Sequence, residues 1–188
     1  MLKVRLVGLV FCVAILGGCA SFEAPLYSPD YQIIDALKSE PLNKLSLGEF
    51  SPMDPQAAVN KISLRAAGLK AKQGTFTLYF KDALQSDLVE LGIYDEASPF
   101  KISVELLEND IDISGLSKGF GVMTINLKIK QDEVVLLNKQ YSTQIEFESS
   151  FAAAVAVPKA QSEYPVLVKS LLAKIYLDRE FIKAVTKI

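Results

Sequence analysis

The sequence predicts an α+β domain: a two-layer sandwich in which one mainly antiparallel sheet of about four strands is packed by two amphipathic helices, preceded by a signal peptide and a tether. Three observations predict it. Apolar residues recur at three- and four-residue steps between Thr75 and Leu91 and again between Tyr164 and Tyr176, the spacing of helices with one buried face. Between them, residues 100–148 change to alternation of apolar and polar positions, the period of strands buried on one side. An antiparallel sheet with one apolar face and two helices with apolar stripes bury each other most economically as two layers.

The chain begins with Lys3 and Arg5 ahead of the apolar run LVGLVFCVAIL. That run, about eleven residues, has the length of a secretory h-region and falls short of the ~20 that span a bilayer, so residues 1–18 read as a signal peptide. In place of an A-x-A-like cleavage pattern stands Leu16-Gly17-Gly18-Cys19, which resembles the bacterial lipobox. The resemblance implies cleavage between Gly18 and Cys19 and a diacylglyceryl group on the Cys19 thiol, with the small Gly17 and Gly18 giving the peptidase access to the backbone. One acyl chain binds a membrane marginally and two or more hold stably, at ~0.8 kcal/mol for each buried methylene, so a multiply acylated Cys19 would anchor the chain by itself. In such lipoproteins an Asp after the cysteine favours retention in the inner membrane. Ala20 and Ser21 stand here, which implies an outer-membrane anchor facing the periplasm.

Cys12 lies within the leader, so the mature chain keeps a single cysteine, consumed by lipid, and must rely on an ordinary core. About 170 residues suffice for one domain. The sequence has no histidine, which removes Ser-His-Asp and Cys-His nucleophiles, most zinc sites and the commonest neutral-pH base. A non-enzyme without cofactor or metal is expected. Removal of the leader leaves 18 Lys and Arg against 22 Asp and Glu, a net charge of −4, with none of the basic excess that recruits nucleic acid.

Residues 19–43 read as the lipidated N-terminus and tether, rich in proline, in which Ser28 as cap and Pro29 as first helical residue allow one or two docked turns. Residues 44–188 read as the single α+β domain. KLSLGEF is its first strand, and SPMDP ends that strand with turn chemistry. NKISLRAAGL follows as a short extended piece, where Lys61, Arg65, Lys70 and Lys72 suggest a solvated basic loop. The first long helix runs from Thr75 to Leu91. Gly92 closes it, and Ile93 is placed to touch Leu88 as in a Schellman ending.

Strands come next: Ile102, Val104 and Leu106 point inward in one, and Met123, Ile125, Leu127 and Ile129 in the following one. After a turn at Gln131-Asp132-Glu133, Val135, Leu137, Tyr141, Thr143, Ile145 and Phe147 share one face of the last strand of a long hairpin. The last long helix is expected to start at Ser162, because Pro165 is tolerated in a first turn and not deeper. A short segment from Asp178 through FIKAV should pack back on the domain.

Three stretches invite chemistry. "ENDID" places Asp110 and Asp112 on one side of a strand, but the calcium-loop pattern is missing and a solvated strand end is expected. "GLSKGFG" is glycine-rich with a lysine, yet it joins two strands and matches no phosphate-loop order, so it reads as a mobile connection. "SFAAAVAV" is apolar without helical or strand patterning. Its Phe151, Ala153, Val155 and Val157 are candidates for an interaction loop that meets a partner or the membrane interface.

Taken together, the lipobox, the helix "TFTLYFKDALQSDLVELGIYD", the strand "KISVELLENDIDIS", the long hairpin and the terminal "EYPVLVKSLLAKIYLDREFIKAV" resemble the YajG-type lipoproteins and the auxiliary lipoproteins of ABC transporters. The resemblance implies an anticodon-binding-like or LptE-like α+β fold and a non-enzymatic envelope role. Its expected partners are the membrane, through lipid on Cys19, and another envelope protein. The competing expectation is a carrier that holds a lipid or another small apolar ligand between sheet and helices.

Overall fold

The computed structural model describes residues 21–187. In chain order the elements are β1 (Ser21–Glu23), α1 (Tyr31–Leu37), β2 (Ser46–Ser51), a 3-10 turn (Ala58–Asn60), β3 (Ile62–Leu64), β4 (Ala67–Lys70), α2 (Phe76–Glu90), β5 (Phe100–Asp112), β6 (Lys118–Gln131), β7 (Val134–Glu148), α3 (Ala153–Tyr176) and α4 (Arg179–Val185). The α+β class and the four-stranded, mainly antiparallel sheet are as expected. Its order is β2-β5-β6-β7, with β2 parallel to β5 and the other pairs antiparallel.

The sheet's inner face carries Ile102, Val104, Leu106, Met123, Ile125 and Leu127, all buried. Helices α2 and α3 cover that face through Phe76, Phe80 and Leu84 from one and Tyr164, Leu167 and Leu171 from the other. The α2 termini follow the residue chemistry read from the sequence. Thr75 Oγ1 accepts the Leu78 amide at 3.1 Å, and Gly92 turns the chain at φ +71°, a conformation in which a Cβ would be strained. The Gly92 amide then donates to Val89 O and the Ile93 amide to Leu88 O, the hydrogen-bond pair of a Schellman motif.

Strand β5 changes phase along its length. Its register against β6 slips between Leu106 and Glu108, leaving Leu107 outside and turning Asn109 and Ile111 inward. A bulge inserts one residue, so the inward positions move from even to odd numbers. A second slip between Ile129 and Lys130 explains why Val135, expected inside, is half exposed while Leu137, Tyr141, Thr143 and Phe147 are buried.

Several expectations need correction. Residues 21–43, read as a tether with one or two docked turns, are tied into the fold by strand pairing from Ser21 onward. β1 lies parallel to β4, which pairs in turn with β3, forming a second sheet of order β1-β4-β3. The basic stretch around Lys61 and Arg65 is therefore a hairpin of this sheet. α1 is capped by Asp30, whose carboxylate accepts the Gln32 amide, and Ser28 and Pro29 lie ahead of it.

The largest departure concerns α3. It starts at Ala153, nine residues before Ser162, and keeps both Pro158 and Pro165 within its 24 residues. Each proline removes one amide donor, at a cost of ~3 kcal/mol or more in an isolated helix interior. The burial of Ala156, Val157, Ala160, Tyr164, Leu167 and Val168 along one stripe offsets that cost, because tertiary packing outweighs local propensity.

Candidate functional site

Three connections meet at one end of the molecule: the β3–β4 turn, the β5–β6 connection and the segment from β7 into α3. Arg65 ties them. It stands in the turn at φ 58°, and its guanidinium donates to Ile113 O at 2.9 Å, to Ser150 O at 2.9 Å and also to Phe151 O. The Ser149 amide donates to Ser117 O at 2.8 Å, closing the same joint. A planar fork with several donors suits three carbonyls presented by two segments, which it meets with its N–H groups in a fixed geometry.

Around this clamp the surface is apolar. A groove of about 360 Å³ is lined mostly by Phe22, Leu64, Ala67, Ala153, Val157 and Pro158. Leu116 is 74% exposed, Phe151 76% and Val155 58%, large values for apolar side chains gathered at one place. The sequence-predicted interaction residues are thus brought together, but not as a loop. Phe151 precedes α3, Ala153 and Val155 stand exposed in its first turns, and Val157 is buried against the body while lining the groove. Gly18 and Cys19 lie outside the described residues.

Replacing Arg65 with Ala should destabilise the fold by roughly 1–2 kcal/mol, since hydrogen bonds from a charged donor are worth about 1.5–3 kcal/mol and water can recover part of that at this exposed end. Hydrogen exchange provides the check. Amides of residues 114–117 and 149–152 should exchange faster in Arg65→Ala while those of β6 stay protected.

A second polar cluster was not anticipated. Asp87 on α2 is buried and accepts the Tyr27 hydroxyl on both oxygens at 3.0 Å and the Tyr176 hydroxyl at 2.9 Å. Burial pushes its carboxyl up to about 6, against the lowering effect of the two tyrosine hydrogen bonds. The cluster ties the N-terminal segment, α2 and the end of α3 together. Its sequence signal was the place of Asp87 on the α2 stripe, three residues after Leu84 and next to Leu88.

The remaining candidates are placed as follows. Asp110 and Asp112 are exposed on one side of β5, and Asp112 is spent on the Ser114 amide at 2.7 Å, which holds its carboxyl below the ordinary value. Among the described residues no group of three or more His, Cys, Asp or Glu side chains is placed to hold a metal. GLSKGFG forms the β5–β6 hairpin connection and the first residues of β6, and no helix N-terminus follows it. At the opposite end of the sheet a wider groove of about 760 Å³ lies between the β6–β7 turn and α4, with Phe100, Leu136 and Leu137 on one wall and Lys183 and Ala184 on the other. Among the described residues no helix is long and apolar enough to cross a membrane.

No family model and no curated protein matches the chain. Solved structures do. A Xanthomonas campestris protein described by the family DUF330 superimposes with a TM-score of 0.53 at 12% identity, over 84% of this chain and 95% of that one. The two share a fold. A putative lipoprotein from Caulobacter crescentus matches with a TM-score of 0.46 at 10% identity, over 80% of this chain and 94% of its own. A minor lipoprotein from Acinetobacter baumannii gives 0.46 at 13% identity, over 78% and 96% respectively.

Proposed function

We propose that the protein is a non-catalytic bacterial lipoprotein, held in the outer membrane on its periplasmic face by acyl chains on Cys19, whose domain acts as an adapter or accessory component of an envelope transport or assembly system. The observation that carries this reading is the lipobox-like Leu16-Gly17-Gly18-Cys19 followed, after Ala20 alone, by the first strand of a packed domain. Such an arrangement gives a membrane-bound body with no spanning helix of its own. Support for an adapter over a carrier comes from the interior. Between sheet and helices the space is filled by Phe76, Tyr79, Phe80, Leu84, Tyr164 and Leu171, each 1% exposed or less, whereas β7 is an outer strand with a single strand neighbour, the kind of edge to which another strand can be added.

Cys19→Ser tests the anchor. The natural protein is expected in the membrane fraction with an N-terminal peptide carrying acyl mass. The variant should keep its leader and lose the acyl mass, and identical processing and acylation-independent retention would overturn the reading. Crosslinking from β7 in cells tests the role: a protein partner supports the adapter, and co-purified lipid without one supports the carrier.

A further inference from the structure

We propose that the apolar end around Leu116 and Phe151 is itself a membrane-contacting tip, which dips into the lipid surface and stands the sheet upright on the bilayer. The proposal rests on lipidation of Cys19 and adds to it an orientation. The direction in which the chain enters the fold carries the argument. β1 pairs in parallel with β4, Ser21 opposite Gly68 and Glu23 opposite Lys70, so the chain arrives beside the β3–β4 turn and runs inward from there. That turn holds Arg65, whose guanidinium binds the carbonyls of Ile113, Ser150 and Phe151. Position 21 therefore belongs to the same end as the exposed Leu116, Phe151 and Val155.

Two residues of chain reach at most ~7 Å when fully extended. An acylated Cys19 would thus hold Ser21, and with it this end of the body, against the headgroups, where no length of linker remains to lift it away. Under that constraint the occupant of the patch is the bilayer surface. Phe22 lines the apolar groove one residue into β1, so apolar surface continues from the anchor onto the body. The charges nearby suit the same contact. The Arg65 guanidinium is engaged by carbonyls, and Lys118 is paired at the surface with Glu146 at 2.6 Å. Apolar side chains on such an end gain by sinking into the boundary between headgroups and acyl chains.

The chain contains no tryptophan, which gives a clean probe. Leu116→Trp, Phe151→Trp and Val134→Trp would be made singly in the full-length lipidated protein and reconstituted in phosphatidylethanolamine/phosphatidylglycerol vesicles, with and without brominated acyl chains. Val134 is exposed at the start of β7, just past the far end of β6, whose 14 residues span roughly 45 Å at ~3.3 Å per residue. The expected result is a blue-shifted emission and its loss on brominated lipid at positions 116 and 151, with neither at position 134. Mass of the N-terminal peptide separates the two possible failures. An acylated, vesicle-bound protein whose probes at 116 and 151 stay unquenched, or are quenched no more than the one at 134, overturns the tip alone. A chain that carries no acyl mass overturns the lipoprotein reading and the tip with it. Unchanged far-ultraviolet dichroism confirms that these surface substitutions leave the fold intact.

Discussion

Tyr164→Ala is expected to lower the unfolding free energy by roughly 3–5 kcal/mol, the range for removing a large aromatic side chain from a packed core. Tyr164 is fully buried on α3, between its two prolines. Its ring lies 4.7 Å from that of Phe76 and 5.1 Å, edge on, from that of Tyr79, so one side chain fastens α3 to α2. Its hydroxyl donates to Asn109 Oδ1 at 3.2 Å, and the Asn109 amide donates onward to Val59 O at 2.9 Å. Truncation would leave a cavity and an unpaired acceptor together. Tyr164→Phe keeps the ring and should cost only about 1–2 kcal/mol through the lost hydrogen bond. Urea unfolding of both variants checks the pair. The first half of α3 should also suffer, because a helix interrupted at Pro158 and Pro165 is held by its contacts, and its amides should exchange early in Tyr164→Ala.

The second large effect is a dependence on pH. Asp87 has its carboxyl raised from 3.8 to about 6, so the folded state holds a proton that the unfolded state has already released. Its contribution to stability is fully present below about pH 4 and is lost as pH rises toward 6, by roughly 2–3 kcal/mol, staying level above that. Other carboxyls work in the opposite sense and in a lower range. The Ser114 amide holds Asp112 below its ordinary value, and hydrogen bonds from Lys139 and Tyr141 outweigh burial to do the same for Asp178, so their contributions are lost only as pH falls below about 4. Asp87→Asn keeps an acceptor for the tyrosines and removes the titration. The stability difference between wild type and Asp87→Asn should therefore change between pH 4 and pH 6.5, with the wild type losing ground as pH rises. Unfolding curves that remain parallel across that interval would contradict the assignment.

The strands of the main sheet and helix α2 were legible because their patterns are regular over many residues. The alternation of Met123, Ile125, Leu127 and Ile129 fixes an inward face, and Gly92 with Ile93 announces the end of α2. The small second sheet was legible only as an extended piece at NKISLRAAGL, without its pairing or β1. β1 and β3 are three residues each, and β4 reads AGLK, too short and too poor in branched side chains for a period to show. The start of α3 was hidden by its prolines, since local rules end a helix where packing in this chain continues it. The same displacement changed the candidate site. Phe151, Ala153, Val155 and Val157 were recognisable as unusually apolar, but their common location came from Arg65, which composition suggested as a solvated cation and which folding turns toward three backbone carbonyls. Asp87 shows the converse. A charge on an apolar stripe was visible, and only its partners Tyr27 and Tyr176, distant in sequence, explain it.

The parallel pairing of β1 with β4 has a mechanical meaning. Tension applied at the N-terminus along β1 loads the Ser21, Phe22 and Glu23 positions together, in shear, instead of peeling them one at a time. Behind them the Ala24 amide bound to Lys70 O, the Tyr79 hydroxyl bound to Pro25 O and the Tyr27 grip on Asp87 act as successive brakes. A domain pulled on from its far end would transmit that force to its moorings without first unravelling the strand that bears it.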